Sequence, residues 1–116
     1  MGLSRAFTQQ STPTSSVAAN QYPNSSTVVD MTNLSTTPSI ALTTRPLNNR
    51  RGFVVENDGT LPVIFANGST VSLSARTALL FPNDVWEDLS GWQGQVTVAA
   101  VGSGAGAANI TEMVYI

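Results

Sequence analysis

Residues 51–65 constrain what this chain can fold into more than any other stretch. They read Arg51-Gly52-Phe53-Val54-Val55-Glu56-Asn57-Asp58-Gly59-Thr60-Leu61-Pro62-Val63-Ile64-Phe65. Two runs of β-branched and aromatic residues flank Asn57-Asp58-Gly59-Thr60. Asp-Gly between two such runs predicts a β-hairpin, because Gly accepts positive φ and Asx residues tolerate it. On the first arm Phe53 and Val55 share one face and Val54 and Glu56 the other. On the second, Leu61, Val63 and Phe65 alternate with Pro62, Ile64 and Ala66. Pro62 falls near the strand start, where a missing N–H is tolerated.

The rest of the chain after residue 37 reads as further short strands. Pro38 to Thr44 gives one, with Ile40 and Leu42 on one face, and Pro46-Leu47-Asn48-Asn49 ends it. Asn67-Gly68 turns the chain into Thr70-Val71-Ser72-Leu73. Ala78-Leu79-Leu80-Phe81 and Asp84-Val85-Trp86-Glu87 follow, separated by Pro82-Asn83. Gly91 and Gly94 bracket Trp92 in a turn. Residues 95–101 form a clear strand, Gly102-Ser103-Gly104-Ala105-Gly106 a flexible loop, and residues 109–116 a last strand. About eight short strands at spacings of roughly 8–12 residues, with no helical period, predict an all-β, antiparallel, jelly-roll-like sandwich over residues 37–116. The last strand is ambiguous. It places Glu112 on the face of Ile110, Val114 and Ile116, which calls for a bulge or a second face buried at a subunit contact.

Residues 1–36 differ in kind. Gln9-Gln10-Ser11-Thr12-Pro13-Thr14-Ser15-Ser16 and Asn24-Ser25-Ser26-Thr27 are hydroxyl- and amide-rich and nearly uncharged. Alone, such a stretch buries too little apolar surface to offset an ordering entropy of roughly 1–2 kcal/mol per residue. Yet Leu3, Phe7, Val17, Tyr22, Val28, Val29, Met31 and Leu34 recur in it. That spacing predicts an extended arm that orders along another subunit, with Phe7, Val17, Tyr22, Val28, Val29, Met31 and Leu34 as partner-binding residues. A sandwich core of about 80 residues supplies only a few kcal/mol. With no disulfide to help and no Lys guarding any edge, a homo-oligomer is expected, a trimer in particular.

Composition removes several kinds of chemistry. The 116 residues include no Cys and no His, so thiolate and imidazole catalysis and Cys/His zinc sites are excluded. All five basic residues are Arg, and the formal net charge is −2, which gives no field to draw in nucleic acid. Charged residues are 10% of the chain, against roughly 25% in ordinary domains. Apolar runs fall far short of the roughly 20 residues that span a bilayer. The N-terminus lacks a signal-peptide h-region, and Ala6 departs from the myristoylation pattern.

The remaining polar groups have structural readings. Asp84, Glu87 and Asp88 do not converge as metal ligands would, since Asp84 and Asp88 lie about 13 Å apart along an extended strand. Glu56 and Glu87 have no spacing that selects a hydrolytic carboxylate pair. Arg50-Arg51 reads as a pair in which one Arg packs across the sandwich end onto a carboxylate, or else as a phosphate- or partner-binding pair. Trp86 and Trp92 read as packing residues or as stacking platforms for a sugar or base. Asn-x-Ser/Thr sequons at Asn24, Asn33, Asn67 and Asn109 are what a Ser/Thr/Asn-rich chain generates by chance, and the Gly-rich loop precedes a strand rather than a helix. No cofactor or metal is expected.

Residues 50–116 also carry a resemblance. Arg51-Gly52-Phe53-Val54-Val55-Glu56-Asn57-x-Gly59-x-x-Pro62-Val63-Ile64-Phe65, then Gly68, then Leu80-Phe81-Pro82-Asn83-Asp84, then Val96-Thr97-Val98-Ala99-Ala100 before a Gly/Ala-rich loop resembles a small β-sandwich of tailed-bacteriophage structural proteins. Asn83 stands where that type has Gly, and Asn is a fair substitute at positive φ. The resemblance implies a non-enzymatic virion component, most like a capsid decoration (cement) protein on the capsid surface. Its partners would be the major capsid protein or other virion subunits. A head-fibre, neck or tail component is the alternative, and a carbohydrate-binding module using Trp86 or Trp92 a further one.

Overall fold

The computed structural model describes residues 25–115. It is all-β: β1 (Ser25–Leu34), β2 (Ser39–Leu42), β3 (Arg50–Glu56), β4 (Val63–Asn67), β5 (Ala78–Leu80), β6 (Val85–Asp88), β7 (Val96–Ala100) and β8 (Gly106–Val114). They form two four-stranded antiparallel sheets, in the orders β1-β8-β3-β6 and β2-β7-β4-β5. This interleaving is the jelly-roll arrangement, in which most consecutive strands lie in opposite sheets.

That topology corrects the hairpin expected at residues 52–66. β3 pairs with β6 and β8, whereas β4 pairs with β5 and β7, so the chain crosses between sheets at Asn57-Asp58-Gly59-Thr60. The turn residues serve a corner rather than a tight two-strand turn. Asn57 is fully buried. Its Nδ2 donates to the carbonyls of Leu61 (2.8 Å) and Leu80 (2.9 Å), and its Oδ1 accepts from Gly59 N at 2.9 Å. Gly59 is required by close approach, not by positive φ. A Cβ there would lie 2.8 Å from the Ala107 backbone nitrogen. The face assignments hold: Phe53, Val55, Val63 and Phe65 all point into the shared core. Phe53 and Phe65 meet edge to face with centroids 6.1 Å apart, worth about 0.5–1.5 kcal/mol beyond their burial.

Three other expectations change. Residues 25–34 are not part of a detached arm but form β1, hydrogen-bonded along β8 from Ser25↔Val114 to Met31↔Ala108. Alternation turns Val29 and Met31 inward onto the core, and the register shift between Met31 and Leu34, with Asn33 at φ 56°, brings Leu34 inward as well. Thr70 to Leu73 is not a strand. Ser72 and Ala75 exchange backbone hydrogen bonds (3.0 and 3.1 Å), and Ser72 Oγ also accepts from Ala75 N, so hydroxyl turn chemistry outcompetes extension. In β2 a register shift between Ile40 and Leu42 separates two residues expected on one face, leaving Ile40 exposed and Leu42 buried.

The two sheets differ on their outer sides. Ile64, Ala66 and Ala99, on the outer face of β4 and β7, are covered by Val71 from the 68–77 loop. β8 keeps strict alternation, which resolves its ambiguity without a bulge of its own: Ala108, Ile110, Glu112 and Val114 face in.

Asn83 has φ 75°, in the left-handed region where the resemblance places Gly. With Pro82 before it and Asp84 N donating to Phe81 O (2.9 Å), residues 81–84 form a type II turn. Asn83→Gly should therefore leave stability unchanged or raise it slightly. Asn83→Val should cost about 1–2 kcal/mol in urea unfolding. Asn57→Ala should cost about 2–4 kcal/mol, because two buried carbonyls lose their donor. Asn57→Asp should be no better despite its matching shape, since it presents an acceptor to both carbonyls.

Candidate docking surface

One ionic lock defines the end of the sandwich where β3 begins. Arg50 is wholly buried at its side chain. Its Nε donates to Glu112 Oε2 at 2.8 Å, Nη1 to the carbonyls of Trp92 (3.0 Å) and Gly94 (2.8 Å), and Nη2 to Thr43 O at 2.7 Å. Glu112 is also held by Arg45, through Nε (3.0 Å) and Nη2 (2.7 Å). Gln93 completes the arrangement. Its Oε1 accepts from Arg50 N (2.8 Å) and its Nε2 donates to Arg50 O (2.7 Å), as a neighbouring strand would. The reading in which one Arg of the Arg50-Arg51 pair packs across the sandwich end onto a carboxylate thus holds, and Arg50 is that residue. The tendency of burial to push the Glu112 carboxyl up is overcome by the hydrogen bonds and charges of Arg45 and Arg50, which hold it below its ordinary value. The hydrogen bond to Glu112 raises Arg45.

The outer face of the β1-β8-β3-β6 sheet is different in character. The registers align rows across it: Asp30–Asn109–Glu56–Val85 and Val28–Thr111–Val54–Glu87. Met113 lies in the next row, where Leu89 overhangs Gly52. A Cβ on Gly52 would stand 2.5 Å from both Asp88 O and Leu89 Cδ2, so Gly is required there. The face is thus apolar and hydroxyl-bearing at Val28, Thr111 and Val54, with Glu87 ending that row and Asp30 and Glu56 in the row on one side. Val28, at 60% exposure, is among its most open apolar residues. The free side of β1 forms one rim, since β1 pairs with β8 alone.

Of the partner-binding residues expected from the sequence, Phe7, Val17 and Tyr22 lie outside the described residues. Val29, Met31 and Leu34 sit in or against the core, so their apolar surface is occupied by this chain's own packing. Among the described residues of the set, Val28 alone faces outward. Thr111, Val54 and Met113 were not singled out in the sequence. For Thr111 and Met113 the signal was the outward half of the β8 alternation, unreadable until Glu112 was known to face in, whereas Val54 was placed on the face opposite Phe53 without being read as a docking residue.

Trp86 and Trp92 are 38% and 37% exposed. Trp86 stands edge-on to Phe65, with centroids 6.0 Å apart. Trp92 donates from Nε1 to Gln95 O (2.8 Å) and lies against Gly94. Asp88 accepts from Ser90 and Asn67, and Asp84 from Phe81 N, so both carboxylates serve turns and sheet ends. No group of three or more acidic side chains is placed to hold a metal ion among the described residues. No protein-family model, curated protein or solved structure matches the chain.

Glu112→Gln should destabilise the fold by about 3–5 kcal/mol at neutral pH, because Arg50 is left buried without its countercharge. A lowered carboxyl contributes stability above its ordinary value of 4.5 and loses it as pH falls through the folded value. The gap between wild type and Glu112→Gln should therefore narrow on acidification below about pH 4.5, measured by urea unfolding across pH. Arg50→Lys should fail to rescue, since a single ammonium cannot reach four acceptors spread around a planar fork.

Proposed function

We propose that this chain is a non-enzymatic virion structural protein. In this reading it is a capsid decoration protein that binds the assembled phage shell at subunit junctions as a homo-oligomer, a trimer in particular. One observation carries the reading. The outer face of one sheet is covered over β4 and β7 by Val71 of the chain's own 68–77 loop, with Ile40 left exposed at its β2 edge, while the outer face of the other, with the long β1 rim, carries no such cover. A body with one partly self-covered side and one uncovered side is suited to lie against something. The turn chemistry shared with tailed-phage sandwiches, including Asn83 at positive φ, supports the same reading. Binding only the assembled shell stabilises that state by mass action.

A carbohydrate-binding reading has its own support. Burial of both tryptophans would have removed it, and both are partly exposed. Trp86 is the better platform, since Trp92 is tied by its indole N–H and backed by Gly94.

Quantitative protein gels of purified particles test the proposal. Hundreds of copies per particle are expected for shell decoration, whereas a dozen or fewer would assign the chain to a head fibre, neck or tail. Shells carrying the protein should also resist heat or chelation better than shells stripped of it, and re-addition should restore that resistance. Re-addition of a variant lacking residues 1–24 should restore less.

A further inference from the structure

Four strands edge the two sheets. β2 and β6 have four residues each and β5 has three, whereas β1 has ten. Short edges offer little to an incoming strand; a long one without Pro or Lys is a template for pairing. From Ser25 to Met31 the pairing of β1 with β8 is regular, and the shift comes only between Met31 and Leu34. That leaves a straight edge of about 23 Å at the strand rise.

Charge and chain length on the page point to the occupant. Asp30 is the only charged residue of β1, and Arg5 is the only charged residue of residues 1–24. Set antiparallel with Arg5 opposite Asp30, residues 4–10 run along residues 25–31. Phe7 then falls opposite Val28, the exposed apolar residue of the outward face. Ala6 and Ser4 fall opposite the partly buried Val29 and Met31, where small side chains fit an edge that already packs on the core. Opposite charges and an aromatic beside a β-branched residue are favourable cross-strand pairs.

We infer that residues 4–10 of one copy add as a fifth strand to the free edge of β1 in a neighbouring copy. The inference rests on the homo-oligomer in the function proposed above. Residues 11–24 can span at most about 48 Å when extended. That compares with a long axis of 48 Å for the body, so the span suffices to reach an adjacent copy. Folding back onto the same chain would instead need those residues as a long hairpin loop containing Pro13 and Pro23, an uncommon connection. Each copy gives a strand and receives one, a relation met either by a two-fold exchange or by a head-to-tail ring.

The absence of Cys makes the test direct. Full-length Phe7→Cys and Val28→Cys proteins are mixed, oxidised mildly, and analysed by non-reducing gel and peptide mass spectrometry. The expected product is a covalent dimer joined between residues 7 and 28. Its yield should be roughly tenfold above that of Ala6→Cys mixed with Val28→Cys, whose side chains point to opposite faces. A Val28→Cys, Thr111→Cys double variant, joining neighbours within one sheet, serves as the oxidation control. No 7–28 product while the control forms its disulfide overturns the inference. So does a Phe7→Cys, Val28→Cys double variant that cross-links only within single chains. In sedimentation, the full chain should be oligomeric and a variant lacking residues 1–10 monomeric; an unchanged mass overturns the inference as well. These measurements use the protein alone, so their failure leaves the copy number on particles as a separate test of the virion reading.

Discussion

The buried guanidinium of Arg50 is the interaction on which this sandwich depends. It starts in β3, bonds the carboxylate of Glu112 in β8, and reaches Thr43 beyond β2 and the carbonyls of Trp92 and Gly94 before β7. Both sheets are thereby joined at one end by a single side chain. An isolated buried ion would cost several kcal/mol. Here the carboxylate accepts from two arginines, and the guanidinium finds three carbonyls besides. The polar groups at that end are therefore largely matched to one another, as a low-dielectric interior requires. Gln93 extends the same logic to the backbone, pairing with Arg50 N and O where β6 has already ended.

At the other end, Asn57 plays the corresponding part without charge. Its amide closes the β3–β4 crossing onto Leu61 and Leu80, and its backbone exchanges hydrogen bonds with Asp84 and Asn83. The crossing between sheets is therefore tied to the type II turn at residues 81–84. These two polar anchors account for how so lightly charged a chain holds a jelly roll with no disulfide. Apolar burial supplies the drive, and Arg50 and Asn57 decide which strands meet.

The sequence made the fold class legible because alternation is local. Phe53, Val55, Val63 and Phe65 announce their faces to any reader of period two. Pairing partners are not local, and there the local signal misled. Asp58-Gly59 has the form of a hairpin turn, yet the competing demands of Asn57's buried amide and the approach of Ala107 to Gly59 make it a corner between sheets. Glu112 hid in the same way. A carboxylate among Ile110 and Val114 looks like an error of phase until Arg50 and Arg45, sixty and more residues away in sequence, are brought beside it. β1 was missed because six of its ten residues are Ser, Thr, Asn or Asp, and its strand character comes only from β8. The open face was legible in part: Val28 stood out from composition, whereas Thr111 and Val54 became its neighbours only through register.

That polar composition of β1 bears on what the open side is for. A long edge is hazardous when it is also apolar, because any exposed strand can then add to it. β1 reduces the hazard by chemistry rather than by length: Ser26, Thr27 and Asp30 are exposed, and Val28 is the one large apolar side chain directed outward. Such an edge still presents the full set of backbone donors and acceptors, but gains little from a random apolar strand. Selectivity must then come from a few side-chain matches, an opposite charge for Asp30 and one apolar contact for Val28. The opposite sheet needs no such device, since its edge strands are short and Val71 covers its outer face over β4 and β7. The asymmetry between the two sides is thus written in edge length, side-chain polarity and loop placement together, and each of the three points to the β1 side as the one left for a specific strand.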